Sequence, residues 1–424
     1  MTANPAAESI RTTGAVPLPP HKGDLPLVDG ILYTDLIGDI PELTAGFRKY
    51  REPYVGVTSD GVPVPGLYSL ADTGIRPKAA IDAARAYLDS LPGYQRAVAR
   101  LPMDSPDWRL WTNAVATWLP KGMRLARLAA PQRDLALAVM EASLSAEGYE
   151  LVRTAMKLNG ALGELLDDYH DTLGEFSYWF TIFGDPSGDE PWGWQLMGHH
   201  VDVHCVFVGS QLVLAPVFLG AELTSFDTGS FAGIHGFDEE TDQGLTFRRS
   251  LGTDQEDRFL LSRSIAAADL PPELAGPFNG RHLGGSGSDN LVLPPEGITG
   301  AELAGEQQEL LLDLVRVYLR RLPGVHADRK LDQVARHLDD TRFVWRGGHD
   351  DVSAFYYRIH SPVLLIEYDN HPGIFLTNPE PERFHVHTIV REPNGNDYGK
   401  DLLAQHYARQ HAGGAGHAPE RPAN

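Results

Sequence analysis

Two short segments near the C-terminal end restrict what this chain can fold into. FHVHTIVR (384–391) and VLLIEYD (363–369) both alternate with a period of two, as strands do. In the first, His385, His387, Ile389 and Arg391 share one face and Phe384, Val386, Thr388 and Val390 the other. In the second, Leu365, Glu367 and Asp369 lie opposite Leu364, Ile366 and Tyr368. A carboxylate inside so apolar a run is costly unless it is paired or bound to a metal. A third segment, Gly198-His199-His200, opens another apolar strand, VDVHCVFV (201–208). Together they predict a sheet carrying a histidine-rich metal site.

Elsewhere the period is helical. IDAARAYLDSL (81–91), DLALAVMEASLS (134–145) and YELVRTAMKLNGALGELLDDY (149–169) place apolar residues on one helix face. Helical signals return at 239–265, 302–322 and 399–411. FSYWFTIFG (176–184) reads as a strand, DPSGDEPWGWQLMG (185–198) as a loop, and 201–220 as a hairpin turning at Gly209-Ser210. RFVWRG (342–347) and SAFYYRIH (353–360) add strands, and the Gly-rich 274–298 stretch reads as a flap. The expected fold is α/β (α+β), a helical N-terminal portion packed on a mixed, mainly antiparallel sheet that carries the histidine-rich site. A flexible segment (1–25) and a mainly helical portion (26–173) precede a sheet-containing portion (174–410) and a flexible tail (411–424). No internal repeat of fixed period is visible, although the two strand blocks suggest related halves.

Composition excludes several classes. With 36 Lys+Arg against 57 Asp+Glu, the net charge of −21 opposes general binding to nucleic acid or anionic membrane. No apolar run approaches the roughly 18 residues needed to span a bilayer. The N-terminus shows no basic-then-apolar export signal, so cytoplasmic location is expected. One cysteine, Cys205, excludes an intrachain disulfide and CxxC zinc ligation, and it reads as a core thiol. There is no GxSxG elbow, phosphate-binding loop or HExxH helix.

The ligand set expected from the pattern is His199 or His200, Glu367, His385 and His387. Imidazole with carboxylate is the donor mixture of divalent transition metals; iron or copper is favoured and zinc is possible. His204 reads as a ligand, a hydrogen-bond donor or a core histidine, and His360 stands in reserve. Arg391 either neutralises Glu367 or anchors a substrate anion. In PNGNDYGKDLL (393–403), Asp397 reads as a helix cap or an acid/base group, and Tyr398 and Lys400 as candidate proton-handling groups. The aromatic cluster Tyr178, Trp179, Phe180, Trp192 and Trp194 forms core or lines a substrate pocket.

These residues resemble a family known as domain of unknown function 3500. The likeness rests on PWGWQLMGHH (191–200), VLAPVFLGAE (213–222), FYYRIHSPVLLIEYD (355–369) and HVHTIVREPNGNDYGKDLLAQHY (385–407). The chain departs from the usual pattern at Tyr368, where Phe is common, and at Asn370-His371, where His-Gln is common. His204 is often Asn in relatives. The resemblance supports the site and implies no particular reaction.

The functional expectation is a metal-dependent oxidoreductase acting on a small organic substrate. The alternatives are a zinc hydrolase and a non-catalytic binding protein.

Overall fold

The period-two segments all enter one sheet. A computed structural model describes residues 49–114, 120–167, 169, 172–275 and 281–412. The flexible segment expected at 1–25 and the tail beyond 412 fall outside the described residues. Three long helices come first, α1 (Lys78–Ser90), α2 (Ala130–Ser143) and α3 (Ala146–Leu166), with a seven-residue helix, Gly93–Ala99, after α1. Ser145 caps α3, its side chain accepting from Gly148 N. An antiparallel meander follows: β1 (Trp179–Gly184), β2 (Trp192–Gly198), β3 (Val201–Val208) and β4 (Gln211–Ala221). Helices α4 (Asp238–Ser250), α5 (Gly305–Leu319) and α6 (Gly324–Arg336) then lead into a second meander. Its strands are β5 (Arg342–Gly347), β6 (Phe355–Ser361), β7 (Leu364–His371) and β8 (Glu382–Arg391). Helix α7 (Lys400–Ala412) closes the described chain. Among the described residues no helix is long and apolar enough to cross a membrane.

The long strands run in the order β1-β2-β3-β4-β8-β7-β6-β5, and four strands of two or three residues at the two edges complete a 12-stranded sheet. The order is palindromic, and so are the edges. Met123 pairs antiparallel with Phe180 on β1 as Ile298 does with Phe343 on β5. Each meander also takes a short parallel strand, Arg100–Leu101 or Leu260–Ser262. The two strand blocks are thus built alike, with helices before each.

One sheet face is apolar and covered by helices. Trp194 Nε1 donates to Ser143 Oγ of α2, and the Tyr357 hydroxyl donates to the Glu240 carbonyl of α4. The other face is polar and also buried. Ladder partners share a face, so the row Arg358–Glu367–Ile389–Phe218–Asp202 crosses it. Beside it runs the row Tyr356–Asp369–His387–Gly220. Irregular segments cover this face, including residues 103–114, 281–293 and 393–399, with Trp108 stacked on Phe183 at 3.8 Å.

One expectation changes here. The segment expected as a loop contains strand β2, which buries Trp192 against Phe207 (4.7 Å). Its Gly193 is needed for close approach, since a Cβ there would lie 2.9 Å from Trp108 Cη2. Strand β4 lies between β3 and β8 in the sheet.

Candidate metal centre

The β2–β3 hairpin turns on His199-His200, ahead of strand β3 at Val201. His200 adopts φ 60°, a left-handed conformation uncommon for a residue with a Cβ. Its carbonyl accepts from Gly220 N (2.8 Å), which extends the His387–Gly220 row to the turn. Both imidazoles of the turn are thereby brought over the end of β8.

Three nitrogens converge there. His200 Nε2 lies 3.2 Å from His385 Nε2 and 3.2 Å from His387 Nε2. Two ligand atoms each about 2.05 Å from one tetrahedral metal stand about 3.3 Å apart. The three residues are 0–4% exposed. His387 Nδ1–H donates to Asp369 Oδ1 (3.1 Å), so its Nε2 presents a lone pair to the other two rings. One proton on His200 Nε2 would have to serve two acceptors, whereas a single cation accepts all three lone pairs. His385 Nδ1 has no hydrogen-bond partner among the described residues. Burial, helped by the neighbouring imidazoles, holds His200 and His385 well below the usual histidine range. Burial also lowers His387, against the opposing pull of Asp369. All three are neutral near pH 7, the state in which imidazole binds metal.

More imidazoles surround the trio. His199 stacks on His200 at 3.9 Å and donates from Nδ1 to Asn159 Oδ1 of α3 (2.7 Å). Burial pushes its pKa down to about 3. His371 donates from Nδ1 to the Pro372 carbonyl (2.7 Å), with its ring 4.9 Å from those of His385 and His387.

A second convergent group, His282, Asp369 and His387, has a different character. Asp369 Oδ2 is 2.5 Å from His282 Nδ1. That separation is too small for two ligands of one metal and suits a charge-assisted hydrogen bond. Burial alone would raise Asp369, but His387 and His282 together hold its pKa far below the usual carboxylate range. The group is therefore an ionised carboxylate accepting from two imidazoles.

Glu367 shares the face of Asp369 yet does not enter the nitrogen cluster. Its oxygens accept from Leu283 N (2.9 Å), Gly284 N (2.6 Å) and the Tyr356 hydroxyl (2.7 Å). The four residues expected to handle substrate or protons lie around a separate buried carboxylate, Asp289. Arg391 donates to Gly284 O, Gly285 O, Asp289 Oδ1 and Asp397 Oδ2 at 2.6–3.0 Å. Asp397 also accepts from Glu392 N (2.8 Å), so its carboxylate ties a loop and does not cap α7. Burial raises its pKa to about 7 against the pull of Arg391. The Tyr398 hydroxyl donates to Asp289 Oδ1 (2.9 Å) and accepts from Trp111 Nε1 (2.8 Å). Lys400 is partly buried at the start of α7, its pKa lowered by burial and by Arg109. His204 accepts from Gln195 Nε2 (2.7 Å) and donates to the Pro216 carbonyl (2.8 Å), which makes it a core histidine.

Fold and site together define a protein whose helix-backed, mixed and mostly antiparallel sheet carries a buried imidazole cluster able to hold a metal ion. The chain belongs to the family described as a protein of unknown function (DUF3500), whose model matches residues 73–400. No curated protein and no solved structure matches it.

Proposed function

We propose that this protein is a metal-dependent oxidoreductase acting on a small organic substrate, with iron or copper held by His200, His385 and His387. The observation that carries the reading is the 3.2 Å convergence of three neutral, buried Nε2 atoms. Three protein ligands leave coordination positions open, as a catalytic site requires. An all-imidazole set suits a redox-active transition metal, which when bound would supply dioxygen or electron-transfer chemistry. The surrounding residues exclude water, which limits side reactions at such a centre. In this reading Glu367 and Arg391 anchor the 283–285 segment over the polar face, and Asp397 and Tyr398 complete the network around Asp289.

The carboxylate behind His387 favours a second reading, a zinc hydrolase. A carboxylate–histidine pair orients zinc ligands, and a zinc-bound water with pKa near 7 is a nucleophile.

Elemental analysis of tag-free protein, beside the His385→Ala/His387→Ala double variant, separates the readings. Near-stoichiometric iron or copper lost in the variant supports the oxidoreductase, whereas zinc lost in the same way moves the assignment to hydrolysis. A wild-type protein that neither contains nor takes up any divalent ion defeats both.

A further inference from the structure

Asp369 is fully buried, and its two oxygens face two different imidazoles. One is His387, on the neighbouring strand. The other is His282, which comes from an irregular segment 87 residues upstream and belongs to neither meander. That segment is fixed to the polar face at its next residues. Leu283 N and Gly284 N donate to Glu367, and Arg391 holds the Gly284 and Gly285 carbonyls. Ser286 Oγ donates to the Trp111 carbonyl. His282 therefore sits on a braced support, with its ring 5.6 Å from both Phe218 and His387.

A carboxyl group on a strand retains freedom about its terminal torsion. With a single partner, Asp369 can rotate, and the ring of His387 can follow. With imidazole donors on both oxygens, the carboxylate plane is set and His387 is locked as the tautomer that points its Nε2 at His200 and His385. We infer that His282 is a positioning residue of the metal centre, acting through Asp369 on the direction and donor strength of His387. This rests on the assignment of His200, His385 and His387 as ligands. Partners in this outer position typically change metal affinity by about 10–100-fold when removed.

The test is a titration of the chelator-treated full chain with Co²⁺, followed by its visible d–d bands, and with Zn²⁺ in competition with a chromophoric chelator. Wild type is compared with His282→Ala, His282→Asn and the His385→Ala/His387→Ala double variant. The inference expects His282→Ala to bind one ion with roughly 10–100-fold weaker affinity and altered cobalt bands. His282→Asn, which keeps an N–H donor, should recover part of both, and it carries the test if the alanine variant does not fold. Wild-type affinity and spectrum in both His282 variants would overturn the inference while leaving the ligand assignment standing. A wild type that binds neither ion, or a double variant that binds as wild type does, would overturn the ligand assignment and this inference with it.

Discussion

Gly220 lies directly opposite His387 across the β4–β8 ladder, and there is no room between them for a side chain. A Cβ at Gly220 would stand 2.4 Å from the Val386 carbonyl oxygen and 3.0 Å from His387 Cδ2. Since the first neighbour is backbone, Gly220→Ala must displace the ladder or the imidazole. The expected cost is about 1–3 kcal/mol of stability, with metal uptake weaker than in wild type. Urea unfolding and metal titration of the same preparation check both. Unchanged stability would mean that the strands part without strain.

Glu367 and Asp369 sit two residues apart on one strand face and are expected to fail differently. Glu367→Gln places an amide against two backbone N–H donors and a tyrosine hydroxyl. Loss of roughly 2–4 kcal/mol is expected, with metal stoichiometry retained. Asp369→Asn releases His387 and should weaken metal binding by about 10–100-fold. Metal lost from the Glu367 variant while its fold remains intact would restore Glu367 to the ligand set.

Arg391 uses its planar fork to hold two carbonyls and two carboxylates at once. Lysine keeps the charge but cannot span that geometry. Arg391→Lys should therefore cost on the order of 3–5 kcal/mol, because buried charges lose their partner. Differential scanning calorimetry would register it as a lower Tm, and near-wild-type melting would show that the network tolerates rearrangement.

Acid should destabilise the metal-free protein well above the carboxylate range. Burial lowers His204 to about 4 and, with Arg358 and Arg342 assisting, His360 to about 4 as well. Unfolded histidine titrates near 6.5, so between about pH 6.5 and 4 the unfolded chain binds protons that the folded chain refuses. The stability linked to these groups is complete above about 6.5 and is lost as the pH falls, on the order of 3 kcal/mol for each by pH 4. Urea midpoints measured in chelator from pH 8 to 4 should drop through this window; a flat profile contradicts it.

Much of the site was legible because strand parity is robust. Alternation alone put His385 with His387, and Glu367 with Asp369, on one face of each strand, and the double histidine after Gly198 marked the third element; the register that joins the two pairs on one sheet face came from the structure. Parity could not choose between the two carboxylates. That choice depends on which backbone N–H groups the 281–291 segment presents to Glu367. His282 carried no periodic signal, because its position is set by long-range ties. Strand β2 was hidden by Gly193, whose role is to admit Trp108 from outside the sheet. The place of β4 between β3 and β8 was hidden as well, since strand order is a property of non-local pairing.

The palindromic order of the strands gives the metal centre a mechanical meaning. His200 belongs to the first meander, while His385 and His387 belong to the second, and the seam between the two is the β4–β8 ladder. An ion held by all three is a cross-link across that seam, spanning 185 residues of chain between His200 and His385. A protein that folds as two like halves would then lose its ion and the registration of those halves in one event.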